Sequence, residues 1–178
     1  FQFESSGMKR YLRELRPTEF DDVIAMGALY RPGPLSAGLT DSYIKRKNGN
    51  ESVAYAHELM QNALEPTYGV LVYQEQVMQI AMVAAGFSAG MADELRRSMA
   101  AWKRKGGVHR FERPLIGGME ARGYRTEFAQ AIFQQMLGFG EYGFPESHAY
   151  SFALLAYSSS WLKCHEPECF LAAMLNSQ

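Results

Sequence analysis

Apolar residues recur along most of this chain at the three- and four-residue spacing of amphipathic helices rather than the alternate spacing of strands. Ser6 is placed to cap a short helix through Leu15. Thr18 is placed to cap a second, to about Tyr30, with Glu19, Asp21 and Asp22 in its positive first turn. Arg31-Pro32-Gly33-Pro34 stops that helix, because proline has no N–H to give and restricts the residue before it. Residues 41–47 read as a short amphipathic helix ended by Asn48-Gly49, about 57–64 as another, and 65–69 as a turn. The spacing predicts a helix over 70–85. Val70-Leu71-Val72-Tyr73 has strand composition but runs straight into helical spacing. Ser88 caps a helix holding Ala89 to Trp102, which Gly106-Gly107 breaks. Residues 108–121 are expected to be helical in spite of Pro114 and Gly117-Gly118. Thr126-Glu127 opens a helix to about Leu137, and 138–145 form a glycine-rich loop. Ser147 is expected to cap a long, nearly all-apolar helix through Cys164, whose composition demands burial. Pro167 suits the first residue of a last helix to about Leu175. The fold class is mainly α, a multi-helix region with little or no β.

Composition changes this picture little. Hydrophobic residues make up 47% of the 178 and charged residues 21%, values of a globular domain with a core of its own. Two cysteines are too few for a disulfide framework, which favours a reducing compartment. The chain opens on Phe1, without an initiator Met or a signal peptide, and reads as a piece of a larger protein. Its least polar stretch, 80–92, is interrupted by glycine and serine and falls short of the roughly 18–20 residues that span a bilayer. No membrane partner is expected, and a cytoplasmic location is.

Charge changes the picture more. The net charge is −1, yet Arg96, Arg97, Lys103, Arg104, Lys105, Arg110 and Arg113 stand in one short stretch against Glu112 alone. Such a concentration in a near-neutral chain suits a polyanion. At about 100° per residue, Met91, Ala92, Leu95, Met99 and Trp102 share one apolar helix face. Arg96 and Lys103 lie at its edge, and Arg97 lies further round. Arginine suits phosphate because its planar fork donates paired hydrogen bonds and keeps its charge. Lys103-Arg104-Lys105-Gly106-Gly107 adds a basic loop fit for a nucleic-acid backbone. The competing reading is a solvated face with local pairs to Asp93 and Glu94.

Gly138-Phe139-Gly140-Glu141-Tyr142-Gly143 satisfies GxGxxG, but a helix precedes it where the dinucleotide fingerprint needs a strand. The loop is better read as bringing Phe139, Tyr142 and Phe144 near Ser147-His148. Free N–H groups at that helix start can hold an anion, and His148 in the first turn could face a ligand. A plain cap beside a packed histidine is the alternative. Cys164, His165 and Cys169 lack the second pair a zinc site needs. Glu75, between Gln74 and Gln76, reads as a polar stripe on a packed helix. Asp21 and Asp22 diverge on their helix and serve its N-terminus better than two-metal chemistry. No nucleophile stands at sensible spacing from a base, so no catalytic residue and no metal ligand is assigned.

Taken together these phrases resemble the bacterial family-C DNA polymerases, the alpha subunits of DNA polymerase III. The phrases are residues 1–8 (FQFESSGM), 28–34 (ALYRPGP), 65–70 (EPTYGV), 73–81 (YQEQVMQIA), Leu95-Arg96-Arg97, Tyr142-Gly143-Phe144 with Ser147-His148, and Trp161-Leu162-Lys163. The resemblance implies the end of the palm and the palm-to-fingers transition over 1–35, and the helical fingers over 36–178. It implies that Arg96 and Arg97 grip the triphosphate of an incoming dNTP. It sets Ser147 and His148 beside the nucleotide sugar. It implies Mg2+ in the intact enzyme, held by aspartates upstream of this chain, and a fragment inactive on its own. It further implies primed template DNA, dNTPs and, through other regions, a sliding clamp and other replication or mutagenesis proteins as partners. The front half, through 73–76, is similar to the replicative enzyme. The back half is similar to the error-prone, lesion-bypass paralogue, on 100–107 (AAWKRKGG), 140–148 (GEYGFPESH) and 162–167 (LKCHEP). Replicative members usually carry Asn-Lys where this chain has Pro145-Glu146, and exchanging a cation for Glu146 weakens any phosphate contact there. Lesion bypass is therefore the preferred subtype. A replicative subunit and a non-catalytic helical nucleic-acid-binding module are the alternatives.

Overall fold

Two hydrophobic cores organise the helices, and one strip of four residues runs between them. The computed structural model describes residues 2–53, 55, 57–100, 107–140 and 143–177. The α-helices are α1 (Ser6–Leu15), α2 (Phe20–Leu29), α3 (Pro32–Ser36), α4 (Leu39–Lys47), α5 (Glu58–Leu64) and α6 (Gln74–Ala85). They continue with α7 (Ala89–Ala100), α8 (Glu112–Glu120), α9 (Thr126–Phe139), α10 (Glu146–His165) and α11 (Pro167–Asn176). Short 3-10 turns occupy Gln2–Glu4, Glu65–Thr67 and Gly107–Phe111. Among the described residues the one trace of β structure is an isolated parallel bridge between Tyr73 and Phe144. The mainly α expectation holds.

The first core joins α1, α2 and α4 to the start of α10, through Met8, Leu15, Met26, Leu29, Tyr43, Ala149 and Ala153. The second joins α5 to α9, through Leu64, Val77, Ala81, Leu95, Leu115, Phe133 and Phe139. Helices α6 and α8 approach so closely that a Cβ on Gly118 would stand 2.2 Å from the Ala85 carbonyl oxygen. Glycine is the residue that permits that contact.

Several element ends differ from expectation, each for a local reason. Ser5, not Ser6, caps α1, its Oγ accepting from the Met8 N–H at 3.2 Å. Glu19, not Thr18, is the N-cap of α2. Thr18 instead gives its N–H to Asp22 Oδ2 at 2.8 Å, and Asp22 closes a capping box. Arg31-Pro32-Gly33-Pro34 does end α2, but it also opens α3, because Pro32 at N1 loses nothing by lacking an N–H. Helix α9 runs on to Phe139, into the expected glycine loop.

Two expectations about larger segments are corrected. Residues 70–73 precede α6 rather than forming its first turn, and Tyr73, its N-cap, is extended. Val70, Val72 and Tyr73 pack in the first core and Leu71 against the second, so residues 70–72 alternate as a strand does. Helix α10 is long, as expected, but not buried: of its residues Ala149 and Ala153 are in the core, whereas Leu154, Leu155, Tyr157, Trp161 and Leu162 are exposed. Its apolar residues lie all round the helix. Only the narrow stripe facing α2 is covered by the described residues.

Candidate functional site

Helix α7 is fixed at both ends of its logic. Ser88 Oγ accepts the Met91 N–H at 3.2 Å, and Ala92, Leu95 and Met99 anchor its apolar face in the second core. Burying a leucine alone contributes about 1.5–3 kcal/mol. The opposite edge therefore has a defined orientation, and there Asp93 holds both arginines. Arg96 donates Nε at 3.0 Å and Nη2 at 2.8 Å to Asp93 Oδ1, while Arg97 Nη2 stands 2.8 Å from Oδ2. The Arg96 hydrogen bond, with the charge of both guanidinium groups, holds the Asp93 carboxyl below the ordinary range. Arg96 is half-buried and Arg97 exposed, and each fork has N–H donors beyond those that Asp93 takes. Glu94 pairs with Arg110 at 3.3 Å. The local pairing weighed as an alternative is thus present, and it pre-aligns two cations on one carboxylate. Trp102, Lys103, Arg104 and Lys105 lie outside the described residues.

The start of α10 differs from the sequence reading. Its N-cap is Pro145, so Ser147 is an ordinary first-turn residue. The anion at this helix start comes from within the chain, since the Glu146 N–H donates to Glu75 Oε2 at 3.1 Å. Burial, then the neighbouring Glu75 and Asp21 charges, raise the Glu146 carboxyl above its ordinary value. Ser147 and His148 do not share a site. Ser147 opens onto a shallow groove with Glu75, Glu146, Tyr150 and Ser151. His148 lines a cleft of about 450 Å³ with Ser5, Met8, Gly27, Tyr30, Arg31, Phe144, Ala149 and Phe152. Successive helical residues diverge by about 100°, which separates them. Of the three aromatics expected nearby, Phe144 lies 5.1 Å from the His148 ring. Phe139 is buried in the second core, and Tyr142 is outside the described residues.

Two glutamines set the position of this cleft. The Gln74 N–H donates to the Phe144 carbonyl at 3.1 Å, and its side-chain Nε2 to the Gly143 carbonyl at 3.3 Å. Gln76 is buried. Its Oε1 accepts from Val72 and Tyr73 N–H at 2.8 and 2.9 Å, and its Nε2 donates to Ala63 O at 3.0 Å and Thr67 Oγ1 at 2.7 Å. Helix α6 thus packs on α7 through one face and latches the approach to α10 through its first turn. From sequence alone the glutamines read as a polar stripe, and Arg31 does not stand out. The usable signal was two long amides at the head of an apolar helix, since buried amides require partners.

Asp22 is buried and accepts from Thr18 N, Glu19 N and Lys47 Nζ, the last at 3.2 Å, which commits it to structure. Among the described residues no three His, Cys, Asp or Glu side chains converge as a metal site requires. Cys164 and Cys169 are both exposed and free. No described helix is long and apolar enough to cross a membrane.

The bacterial DNA polymerase III alpha subunit finger domain matches residues 1–123. This chain belongs to that family. Along its whole length the finger-domain chain is 58% identical to an error-prone DNA polymerase of Bordetella parapertussis. It is 53% identical to one of Methylococcus capsulatus and 51% to one of Vibrio campbellii, again over all of the chain. It spans 17% of the length of each of these relatives. Both halves of the finger-domain chain, the one similar to replicative enzymes included, align with polymerases of the error-prone name.

Proposed function

We propose that this chain is the late palm (1–35) and fingers (36–178) of a template-directed DNA polymerase of the error-prone type, acting in translesion synthesis in the cytoplasm. Primed DNA and dNTPs are its substrates, and a sliding clamp or other replication proteins would bind elsewhere on the parent. The observation that carries the reading is the shared carboxylate on α7: Asp93 aligns Arg96 and Arg97 side by side, at the edge of a helix whose other face is anchored. A triphosphate reaching these forks meets cations already oriented, and charge growing on the phosphates during transfer is stabilised without reorganisation. Lys103, Arg104 and Lys105 would add phosphate contacts to DNA. His148 would stand beside the sugar, with Ser147 on the adjoining groove. Mg2+ would be held by aspartates elsewhere in the polymerase and would supply charge stabilisation to the phosphoryl transfer.

The test is Arg96→Ala in the intact polymerase, with Asp93→Asn beside it. Losing a charged hydrogen bond costs about 1.5–3 kcal/mol, so kcat/KM for dNTP should fall about 10- to 100-fold for Arg96→Ala. Asp93→Asn should lower it less, by loosening the alignment. An unchanged kcat/KM for Arg96→Ala refutes the assignment. Salt-sensitive DNA binding without any response to dNTP would instead identify a non-catalytic binding module.

A further inference from the structure

Arg31 is a cation positioned by an aromatic ring rather than by an acid. Its backbone is extended (φ −143°, ψ 155°), as Pro32 requires of the residue before it. Its guanidinium lies 4.2 Å above the centre of the Phe144 ring. Phe144 is in turn held through its carbonyl by the Gln74 N–H. No carboxylate among the described residues pairs with Arg31. Beyond Phe144 the rings continue: His148 packs on Phe144 at 5.1 Å and on Phe152 at 4.6 Å. The cleft they line measures about 450 Å³. A guanidinium laid on one ring, beside a cleft that further rings line edge-on and tilted, matches a nucleotide unit, with phosphate on the fork and sugar or base in the aromatic-lined cleft.

We propose that Arg31, stacked on Phe144 in the cleft that His148 and Phe152 also line, supplies a further nucleotide-phosphate contact, distinct from that of the α7 arginines. This rests on the polymerase reading above. The phosphate belongs either to the incoming dNTP or to a DNA strand. A stacked fork works differently from a point charge, so lysine does not replace Arg31.

The experiment uses the intact polymerase with Arg31→Gln, Arg31→Lys and Phe144→Leu. Primer-template Kd is measured across a salt series, and dNTP kcat and KM at saturating DNA. Arg31 is exposed, and the variants are checked for an unchanged Tm. A DNA phosphate predicts a Kd raised about tenfold, a salt slope smaller by about 0.7–0.9, and an unchanged dNTP KM. A dNTP phosphate predicts the reverse: KM raised about tenfold and an unchanged DNA Kd. In either case Arg31→Lys rescues little and Phe144→Leu reproduces part of the loss with charge intact. If Kd, salt slope and KM all stay within twofold of wild type, the proposal is overturned. Arg96→Ala in the same assays separates the two sites: an effect of Arg31 with none of Arg96 refutes the α7 assignment and leaves this one standing, and the opposite result does the converse.

Discussion

Replacing Gln76 by leucine keeps the size of the side chain and removes all four of its hydrogen bonds. The Val72 and Tyr73 N–H groups lose their shared acceptor, and the Ala63 carbonyl and Thr67 hydroxyl lose a donor. Each buried group left unmatched costs about 1–3 kcal/mol. Thr67 keeps its bond to the Val70 carbonyl at 2.6 Å, so its share is small. Partial relaxation of the strip lowers the sum, and a local loss of about 2–5 kcal/mol follows. Hydrogen exchange in the intact polymerase reads this directly, because opening of the strip need not unfold the rest. Peptides covering 70–76 should exchange at least ten times faster in Gln76→Leu, as expected for a loss above about 1.4 kcal/mol. Peptides covering 143–150, tied to the strip through Gln74, should follow. Peptides from α1 and α2 should not. Protection of 70–76 within threefold of wild type would refute the view that this amide holds the strip in place.

Gly118→Ala should lower the Tm of the polymerase region containing it, by overpacking against the Ala85 carbonyl, at a cost of about 1–3 kcal/mol. An unchanged melting transition would mean that α6 and α8 can separate freely. Asp93 should titrate below its ordinary value of about 3.8, by carboxyl NMR. Its contact with the arginines is then complete above the ordinary value and is lost only as pH falls through the depressed one; Arg96→Ala should bring the midpoint back up. Discrimination against ribonucleotides should weaken with His148→Ala and hold with Ser147→Ala, because the two side chains open into different grooves. Equal effects in an incorporation assay would contradict that separation.

What could be read from the sequence were features decided within one or two turns. Pro167 opens α11 because its missing N–H is harmless there, and Asn48 ends α4 where the basic residues finish. The Ala92–Leu95–Met99 stripe of α7 was legible from spacing alone, and so was the edge that carries Arg96 and Arg97. The strip at 70–73 was not, because its conformation is set by a side chain on the following helix and by a carbonyl about seventy residues away. For the same reason the cap expected at Ser147 moved to Pro145, where Glu75 reaches across from α6. The exposure of α10 was illegible for another reason: apolar composition says that a helix seeks cover, not which polypeptide supplies it, and this chain is 17% of its relatives' length. The cleft at Arg31 needs α2, the Phe144 approach and α10 together, and no local pattern announces such a convergence.

Because Val70 and Val72 serve one core and Leu71 the other, the strip behaves as a reading frame. Deleting or inserting one residue among 70–72 would turn Val70, Leu71 and Val72 each towards the other core. It would also displace Tyr73 from Phe144 and Gln74 from Gly143. Evolution can lengthen or shorten an exposed turn such as 48–50 one residue at a time, but at 70–73 only substitutions that keep the count are open to it.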